Sequence, residues 1–213
     1  MTLAADYIQY RRSLAGENEY PGLFSAGQGS DWGEIGQHWT FTDAVNAYGL
    51  GIMAKCYESF GATDAASIRA VYTDYHKTLK DILNRLAAEH HGEHAYILPH
   101  ILGISFEESY NHCFYTAGAP YLLLLDIMEP DSEIFEQMEN FYREIGFLDD
   151  EHGLAGRMTN DACGADGLYG HVYYTGVAEP CWIRAWTKRA KPTKPKNTQT
   201  GFSATTSPPN ICY

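Results

Sequence analysis

The chain has 213 residues, with 15 lysines and arginines against 27 aspartates and glutamates, and its formal net charge is −12 at pH 7. This excess of acid disfavours non-specific binding to nucleic acid and to anionic membranes. The longest apolar run extends only from Tyr121 to Leu125, so we expect no membrane-spanning segment.

The N-terminus and the cysteines bear on the cellular compartment. The first ten residues lack the basic start and apolar core of a signal peptide. The five cysteines are an odd number without a CxxC motif, which fits a reducing compartment. These features predict a cytoplasmic protein.

Apolar residues recur at helical spacing through nearly the whole chain. Gly61 and Pro130 are breaks between helices, and Thr63 or Asp64 suits the N-cap of a long polar helix. Short extended pieces, such as residues 171–174, are the only strand-like segments. The sequence therefore predicts an all-α fold, with helices over residues 3–14, 44–60, from 63 or 64 to about 89, 119–128, 132–145 and from about 178.

The apolar positions also predict which helix faces are buried. In helix 44–60 the predicted buried stripe is Val45, Tyr48, Ile52, Met53 and Tyr57. In the following helix it is Ile68, Val71, Tyr75, Leu79, Ile82, Leu83 and Leu86.

A motif of the form His-x-x-aromatic-Thr occurs at residues 38–42, 112–116 and 171–175, each time shortly before a more apolar helix. We expect Thr42, Thr116 and Thr175 to cap these helices. Because apolar helices alternate with amphipathic ones, we predict an inner and an outer layer. Consecutive inner helices then run parallel, and the loops before them meet at one end of the fold.

Those loops carry the residues suited to chemistry on a sugar. Hydrolysis of a glycosidic bond requires two carboxyl groups that face the bond. The candidates are Asp31, Glu34, Asp161, Asp166 and Glu179, although each alone is more typical of a cap or a solvated loop charge. Asp43, which follows Thr42, suits the first turn of a helix electrostatically. Flat aromatic rings and histidines would bind the substrate, and the candidates are Trp32, His38, Trp39, His112, Tyr115, His171, Tyr173 and Tyr174.

Other chemistries have weaker signals. The stretch at residues 90–94 is rich in histidine, but no second ligand group stands at a recognisable spacing, so we expect no metal. Cys113, Cys163 and Cys181 lack the surroundings of a thiol nucleophile. No GxGxxG motif or P-loop occurs, and we expect no cofactor. Gly49 and Gly51 form a pair within a helix that suits close packing.

Residues 29–68, which include GSDWGEIGQHW and YGLGIMAK, resemble a hairpin of the six-hairpin glycosidases, in the style of the α-L-rhamnosidase-like branch. The resemblance implies an (α/α) toroid with its active site at the inner-helix N-termini. It implies Asp31 or Glu34 as general acid, Glu179 as general base with Asp166 as substitute, and an inverting reaction on an oligo- or polysaccharide. Trp32 would lie in the sugar-binding loop.

The chain has helices for only about half of a six-hairpin barrel, over residues 1–190. Residues 187–213 contain five basic residues and no acid, and we predict a disordered tail over 191–213. An interrupted reading frame near Thr187 and a natural tail both explain this change. A half ring exposes inner-helix surface, so we expect one of three cases: the chain is a fragment, it self-associates through this surface, or it is folded only marginally. Two other functions remain open: a non-catalytic module that binds a glycan or protein, and a polysaccharide lyase.

Overall fold

Helices make up most of the part of the chain that the structure describes. The structure is a computed structural model, and it describes residues 2–14, 20–27, 36–89, 101–103, 119–127, 129–144, 148–149, 154–155, 157–158, 173–174 and 179–190. Within these residues the α-helices are α1 (Thr2–Ser13), α2 (Thr40–Ser59), α3 (Ala65–Glu89), α4 (Ala119–Leu122), α5 (Glu133–Glu144) and α6 (Glu179–Ala190). The all-α prediction is confirmed for this part of the chain.

The described strands are only two residues long and form three antiparallel pairs. β1 (His38–Trp39) pairs with β2 (Ile101–Leu102) directly before α2 begins. β3 (Leu148–Asp149) pairs with β4 (Leu154–Ala155), and β5 (Arg157–Met158) pairs with β6 (Tyr173–Tyr174). Of these six strands, the sequence indicated only β6, because a two-residue strand is too short to show an alternating pattern.

Helices α2 and α3 form an antiparallel hairpin with a glycine turn. Gly61 has φ +62°, its N–H donates to the carbonyl of Glu58, and the Ala62 N–H donates to the carbonyl of Tyr57. These two bonds are those of a Schellman motif, which satisfies carbonyl groups at a helix C-terminus. Next to the turn, Arg69 of α3 donates two hydrogen bonds to the Glu58 carboxylate of α2. The predicted helix stop at Gly61 is therefore confirmed.

The fully buried face of α2 is formed mainly by small residues, and the predicted stripe is confirmed only in part, because four of its residues pack against the core without being fully buried: Val45, Tyr48, Met53 and Tyr57. The predicted residues are only partly buried, and Ile52 is 46% exposed. Gly51 explains the difference, because a Cβ there would lie 2.8 Å from the ring of Tyr72 on α3. Close packing of the two helices selects small side chains, which a hydropathy pattern overlooks. The buried residues are Thr40, Asp43, Ala44, Ala47, Leu50, Gly51 and Ala54.

The predicted helix over residues 119–128 is shorter than expected. α4 ends at Leu122, a 3₁₀ turn follows over Leu123–Leu125, and Asp126 then adopts a left-handed conformation with φ 56°. Asp126 accepts hydrogen bonds from Arg184 and Lys188 of α6, which holds the chain in this reversal. The cause lies in another helix, so apolar periodicity alone did not reveal it.

Three helices run parallel and begin at the same end of the fold. Phe41, at the start of α2, packs edge-on against Tyr121 of α4, with ring centroids 4.6 Å apart. Burial raises the pKa of Tyr121 to about 12, and Cys181 at the start of α6 adds to this effect. Further along, Asp126 bonds to Arg184 and Lys188. The N-termini of α2, α4 and α6 are therefore neighbours, as the repeat predicted.

Helix α5 packs antiparallel to α6 through aromatic residues and one buried acid. Trp182 is fully buried and packs against Phe135 and Tyr142, at centroid distances of 5.9 and 5.4 Å. Glu139 accepts hydrogen bonds from Trp186 and from Arg189. Lys188 and Arg189, the first two basic residues of the C-terminal segment, therefore belong to the packed helix α6. Residues 191–213 lie outside the described residues.

The predicted N-cap of α2 is wrong, whereas α5 begins with a serine cap that was not predicted. α5 begins after Ser132, whose hydroxyl accepts a hydrogen bond from the Phe135 N–H. The N-cap of α2 is Trp39, without a side-chain cap bond, and Thr42 lies inside the first turn. The chain passes directly from β1 into α2, so this helix begins two residues before Thr42. In the third copy of the motif, β6 holds the two tyrosines, so the copies differ in structure.

Candidate functional site

A small polar cavity lies beside the first turn of α2, at the end where the parallel helices begin. Its volume is about 120 Å³. This is room for about four water molecules at roughly 30 Å³ each. The lining combines a carboxyl group, a guanidinium group, an amide, two hydroxyl groups and an indole ring. The residues are Arg11, Phe24, Ser25, Gly27, Gln37, Trp39, Thr42 and Asp43.

Asp43 is the central acid of this cavity. It lies on the buried face of α2 and is 1% exposed. Its Oδ1 atom accepts hydrogen bonds from the Phe24 N–H at 2.8 Å and from the Tyr75 hydroxyl at 2.6 Å. Among the described residues no donor reaches Oδ2. One carboxyl oxygen therefore joins α2 to α3 and to the loop before β1, and the other is left for a proton or a ligand.

The surroundings of Asp43 raise its pKa from 3.8 to about 7. Burial is the largest cause, because it removes water from the charged form. The hydrogen bonds from Phe24 and Tyr75 and the charge of Arg12 favour ionisation and offset only part of the effect. Near neutral pH this carboxyl group is therefore present in both its protonated and its ionised form.

Arg12 does not line the cavity, but its positive charge favours the ionised form of Asp43. Its guanidinium group is 4.3 Å from the ring centroid of Tyr75 and donates to Asp74 at 2.8 Å and to the Gly22 carbonyl at 2.6 Å. Arg12 is 6% exposed, so these contacts fix a buried positive charge. Burial, together with the charge of Asp43 and the hydrogen bond to it, raises the pKa of Tyr75 well above 10, and the charge of Arg12 offsets only part of this rise. Tyr75 thus remains a hydroxyl donor to Asp43.

Arg11 places a second positive charge in the wall of the cavity. Its Nε atom donates to the Ser25 hydroxyl at 2.7 Å, and its guanidinium group lies 4.8 Å from the ring centroid of Phe24. The Ser25 N–H in turn donates to the Arg11 carbonyl. The cavity therefore holds a cation and a titratable acid together, an arrangement that binds hydroxyl-rich or zwitterionic groups through charge-assisted hydrogen bonds.

The mouth of the cavity is tied to the loop that carries the predicted catalytic acids. Gly27 and Gln37 pair through two backbone hydrogen bonds of 3.0 and 3.3 Å. Both residues line the cavity. The loop between them contains Asp31, Trp32 and Glu34, which lie outside the described residues. Its two ends are held together at the cavity, so the loop begins and ends there.

The structure describes five of the predicted site residues. Trp39 is 3% exposed and lines the cavity. His38 lies beside it, with its ring edge-on to Tyr20 at 5.4 Å. Glu179 is the first residue of α6, at the same end of the fold, but does not line the cavity. Tyr173 and Tyr174 form β6. Asp31, Trp32, Glu34, His112, Tyr115, Asp166 and His171 lie outside the described residues.

Sequence reasoning missed the residues that give the cavity its chemistry. It interpreted Asp43 only as a helix first-turn charge, and it did not single out Arg11 or Arg12. Residues three, four and seven positions apart share a helix face, so the signal for Asp43 depends on knowing the buried face of α2, which the sequence did not show. Counting back from Leu50 and Ala47 places Asp43 on the buried side. No comparable local signal existed for the arginines, whose partners are distant in sequence.

The described part of the chain offers little for metal binding or for a thiol nucleophile. No group of three or more His, Cys, Asp or Glu residues is placed there to hold a metal ion. Burial raises the pKa of the Cys181 thiol to about 11, so this thiol is protonated near neutral pH. Within the same residues, none of the helices combines the length and apolar character needed to cross a membrane.

No protein-family model, curated protein or solved structure matches this chain.

Proposed function

We propose that this chain is a glycoside hydrolase-like protein, built from helical hairpins of an (α/α) toroid that make up about half of a six-hairpin barrel. The carrying observation is the polar cavity at the shared end of three parallel helices, with the Gly27–Gln37 pair at its mouth. Loops before inner helices meet at such an end, and helix N-termini add partial positive charge. An acidic loop tied to this place suits a sugar-binding cleft.

The proposed reaction uses general acid and general base catalysis on an oligo- or polysaccharide. Asp31 or Glu34 protonates the leaving oxygen, and Glu179 activates water, with Asp166 as the alternative base. Glu179 is supported by its position at the start of α6. In an inverting enzyme the two carboxyl groups stand about 6.5–9.5 Å apart, which leaves room for the water.

Asp43 acts as a positioning residue in this proposal. It is too buried to touch a polysaccharide, because only 1% of it is exposed. Its bonds to Phe24 and Tyr75 hold the loop before β1 against the hairpin. Asp43→Asn should therefore change the pH profile of kcat or KM for a glycoside while leaving measurable turnover.

A panel of aryl glycosides tests the reaction directly. Asp31→Asn, Glu34→Gln and Glu179→Gln are compared with Glu133→Gln, a change in an exposed residue of α5. The proposal expects the wild type to hydrolyse at least one glycoside of the panel. It expects either Asp31→Asn or Glu34→Gln to reduce that turnover by about a hundredfold or more. The control should retain the wild-type rate. Turnover unaffected by all three changes refutes the assigned roles.

A non-catalytic glycan-binding module is the second candidate. The cavity volume of about 120 Å³ is below the range of about 300–1,000 Å³ for sites that enclose a small molecule, so it argues against an enclosed catalytic pocket and leaves binding of a glycan at the surface. This alternative predicts glycan binding that survives amide substitution at Asp31, Glu34 and Glu179, without turnover of any glycoside. Glycan-array binding by the same variants distinguishes the two functions.

Self-association through inner-helix surface is part of the proposal. Ile52 of α2 and Ile183 of α6 are 46% and 52% exposed. Sedimentation velocity of the wild type and of a double variant, Ile52→Lys with Ile183→Lys, tests it. A dimer that dissociates in the double variant supports the proposal, and a wild-type monomer at all concentrations refutes it.

A further inference from the structure

A second cavity, the Lys55–Arg184 groove, lies where α2, α3, the 3₁₀ turn and α6 meet. Its volume is about 350 Å³, which falls within the range of about 300–1,000 Å³ for small-molecule sites. It shares no lining residue with the cavity at Asp43. The groove is lined by Tyr48, Gly51, Ile52, Lys55, Tyr72, Leu124, Leu125, Asp126 and Arg184.

Aromatic and aliphatic side chains give the groove apolar walls. Tyr48 and Tyr72 are partly buried, and Leu124 contributes a further apolar surface. The ring of Tyr72 is fixed by close packing on Gly51, where a Cβ would lie 2.8 Å away. Rigid phenol rings next to aliphatic groups suit the flat face of a six-membered ring.

The groove has more positive than negative charge, although the whole chain is acidic. Lys55 is exposed and forms no ion pair within hydrogen-bond reach among the described residues, although its charge acts on Glu58 at longer range. Asp126 is the single acid in the lining, and it bonds to both Arg184 and Lys188. Nearby, Arg69 is matched by Glu58, so that pair adds little net charge. An anion in the groove would therefore meet a net attraction.

Arg184 has donors to spare. Its one hydrogen bond to a described residue runs from Nη2 to Asp126 at 3.1 Å, although a guanidinium group carries five N–H donors. Its Nε atom is buried without an acceptor among the described residues. A carboxylate is the group whose two oxygens best match the remaining donors of an arginine.

We propose that the Lys55–Arg184 groove binds a small carboxylate carried on a six-membered ring. The ring lies against Tyr48 and Tyr72, and the carboxylate is held between Lys55 and Arg184. A uronic acid and an aromatic acid share this chemistry, and the experiment distinguishes them. The inference does not depend on glycosidase activity.

Titration calorimetry at low salt tests the proposal with two matched pairs of probes. D-glucuronate is compared with D-glucose, and benzoate with benzyl alcohol. Because two partly exposed cations each contribute modestly, we expect the preferred carboxylate to bind about fivefold or more tightly than its neutral analogue. Raising the salt concentration should weaken that binding. The tighter of the two carboxylates identifies the sugar or the aromatic class.

Variants locate the binding. Lys55→Gln should weaken binding of the preferred carboxylate by about threefold without affecting the fold, because this exposed side chain makes no hydrogen bond with a described residue. Lys80→Gln is the control, since Lys80 lines neither cavity. Equal binding of the charged and neutral probes overturns the proposal. So does wild-type affinity in Lys55→Gln, or no binding of either carboxylate up to about 10 mM.

Discussion

Replacing Asp43 by asparagine should make the protein more stable above neutral pH. The amide has nearly the same shape as the carboxyl group, and its oxygen can accept the hydrogen bonds from Phe24 and Tyr75. It removes the buried negative charge whose desolvation raises the pKa. The substitution thus tests whether this charge opposes folding.

The size and sign of the effect follow from the pKa. Asp43 has a pKa of about 7 in the folded chain, compared with 3.8 for the ordinary group. The folded state therefore holds the proton more tightly. Stability from this group is complete below about pH 4 and is lost as the pH rises through about 7. At 1.36 kcal/mol for each pH unit, the loss amounts to about 4 kcal/mol.

Urea denaturation followed by circular dichroism from pH 4 to pH 8 measures this effect. The wild type should lose stability over this range, and Asp43→Asn should lose less by about 2–4 kcal/mol. The matched control is Asp131→Asn, a change in an exposed acid that should leave the wild-type slope intact. If Asp43→Asn keeps that slope, or is less stable than the wild type at pH 8, burial of the charge is not what raises the pKa.

Three further predictions concern packing, the hairpin turn and the buried ion pairs. Gly51→Ala should destabilise the fold by about 1–2 kcal/mol, because the new Cβ meets the ring of Tyr72. Gly49 has open space around it, so Gly49→Ala should stabilise the fold by about 0.5–1 kcal/mol. Equal midpoints of urea denaturation for the two variants would contradict this prediction. Gly61→Ala should cost about 1–2 kcal/mol in thermal unfolding, because φ +62° disfavours a side chain, and an unchanged melting temperature would argue against the turn geometry. Burial opposes the charge on Glu139, yet hydrogen bonds from Arg189, Arg143 and Trp186 prevail and lower its pKa, so Glu139→Gln should cost about 1–2 kcal/mol at pH 7. Because a lowered carboxyl pKa contributes stability that is lost as the pH falls, this cost should shrink as the pH falls below the ordinary glutamate pKa of 4.5, and a constant cost would show that charge is not its origin.

Local physics allowed the sequence to predict where most described helices lie. The predicted helix 3–14 corresponds to Thr2–Ser13, and 132–145 corresponds to Glu133–Glu144. The predicted helix from residue 63 or 64 to about 89 corresponds to Ala65–Glu89. Helical spacing, a serine cap and a left-handed glycine act over a few neighbouring residues, so they can be read without knowledge of the fold.

For the candidate site, the sequence determined residue types but not their environment. It identified Trp39 and the acidic loop, and the structure places Trp39 in the cavity. It could not predict the pKa of Asp43, because Tyr75, its hydroxyl partner, lies 32 positions away. The effects that lower this pKa against burial come from three segments: Arg12 of α1, Tyr75 of α3 and Phe24 in the loop before β1.

Only the tertiary structure decided which face of α2 is buried and where α4 ends. Close approach of α3 at Gly51 favoured the small residues over the large ones, and ion pairs from α6 reversed the chain at Asp126. Both outcomes depend on contacts between segments that are distant in sequence. Periodicity measures how hydrophobic one helix is on each side, whereas burial depends on what lies opposite.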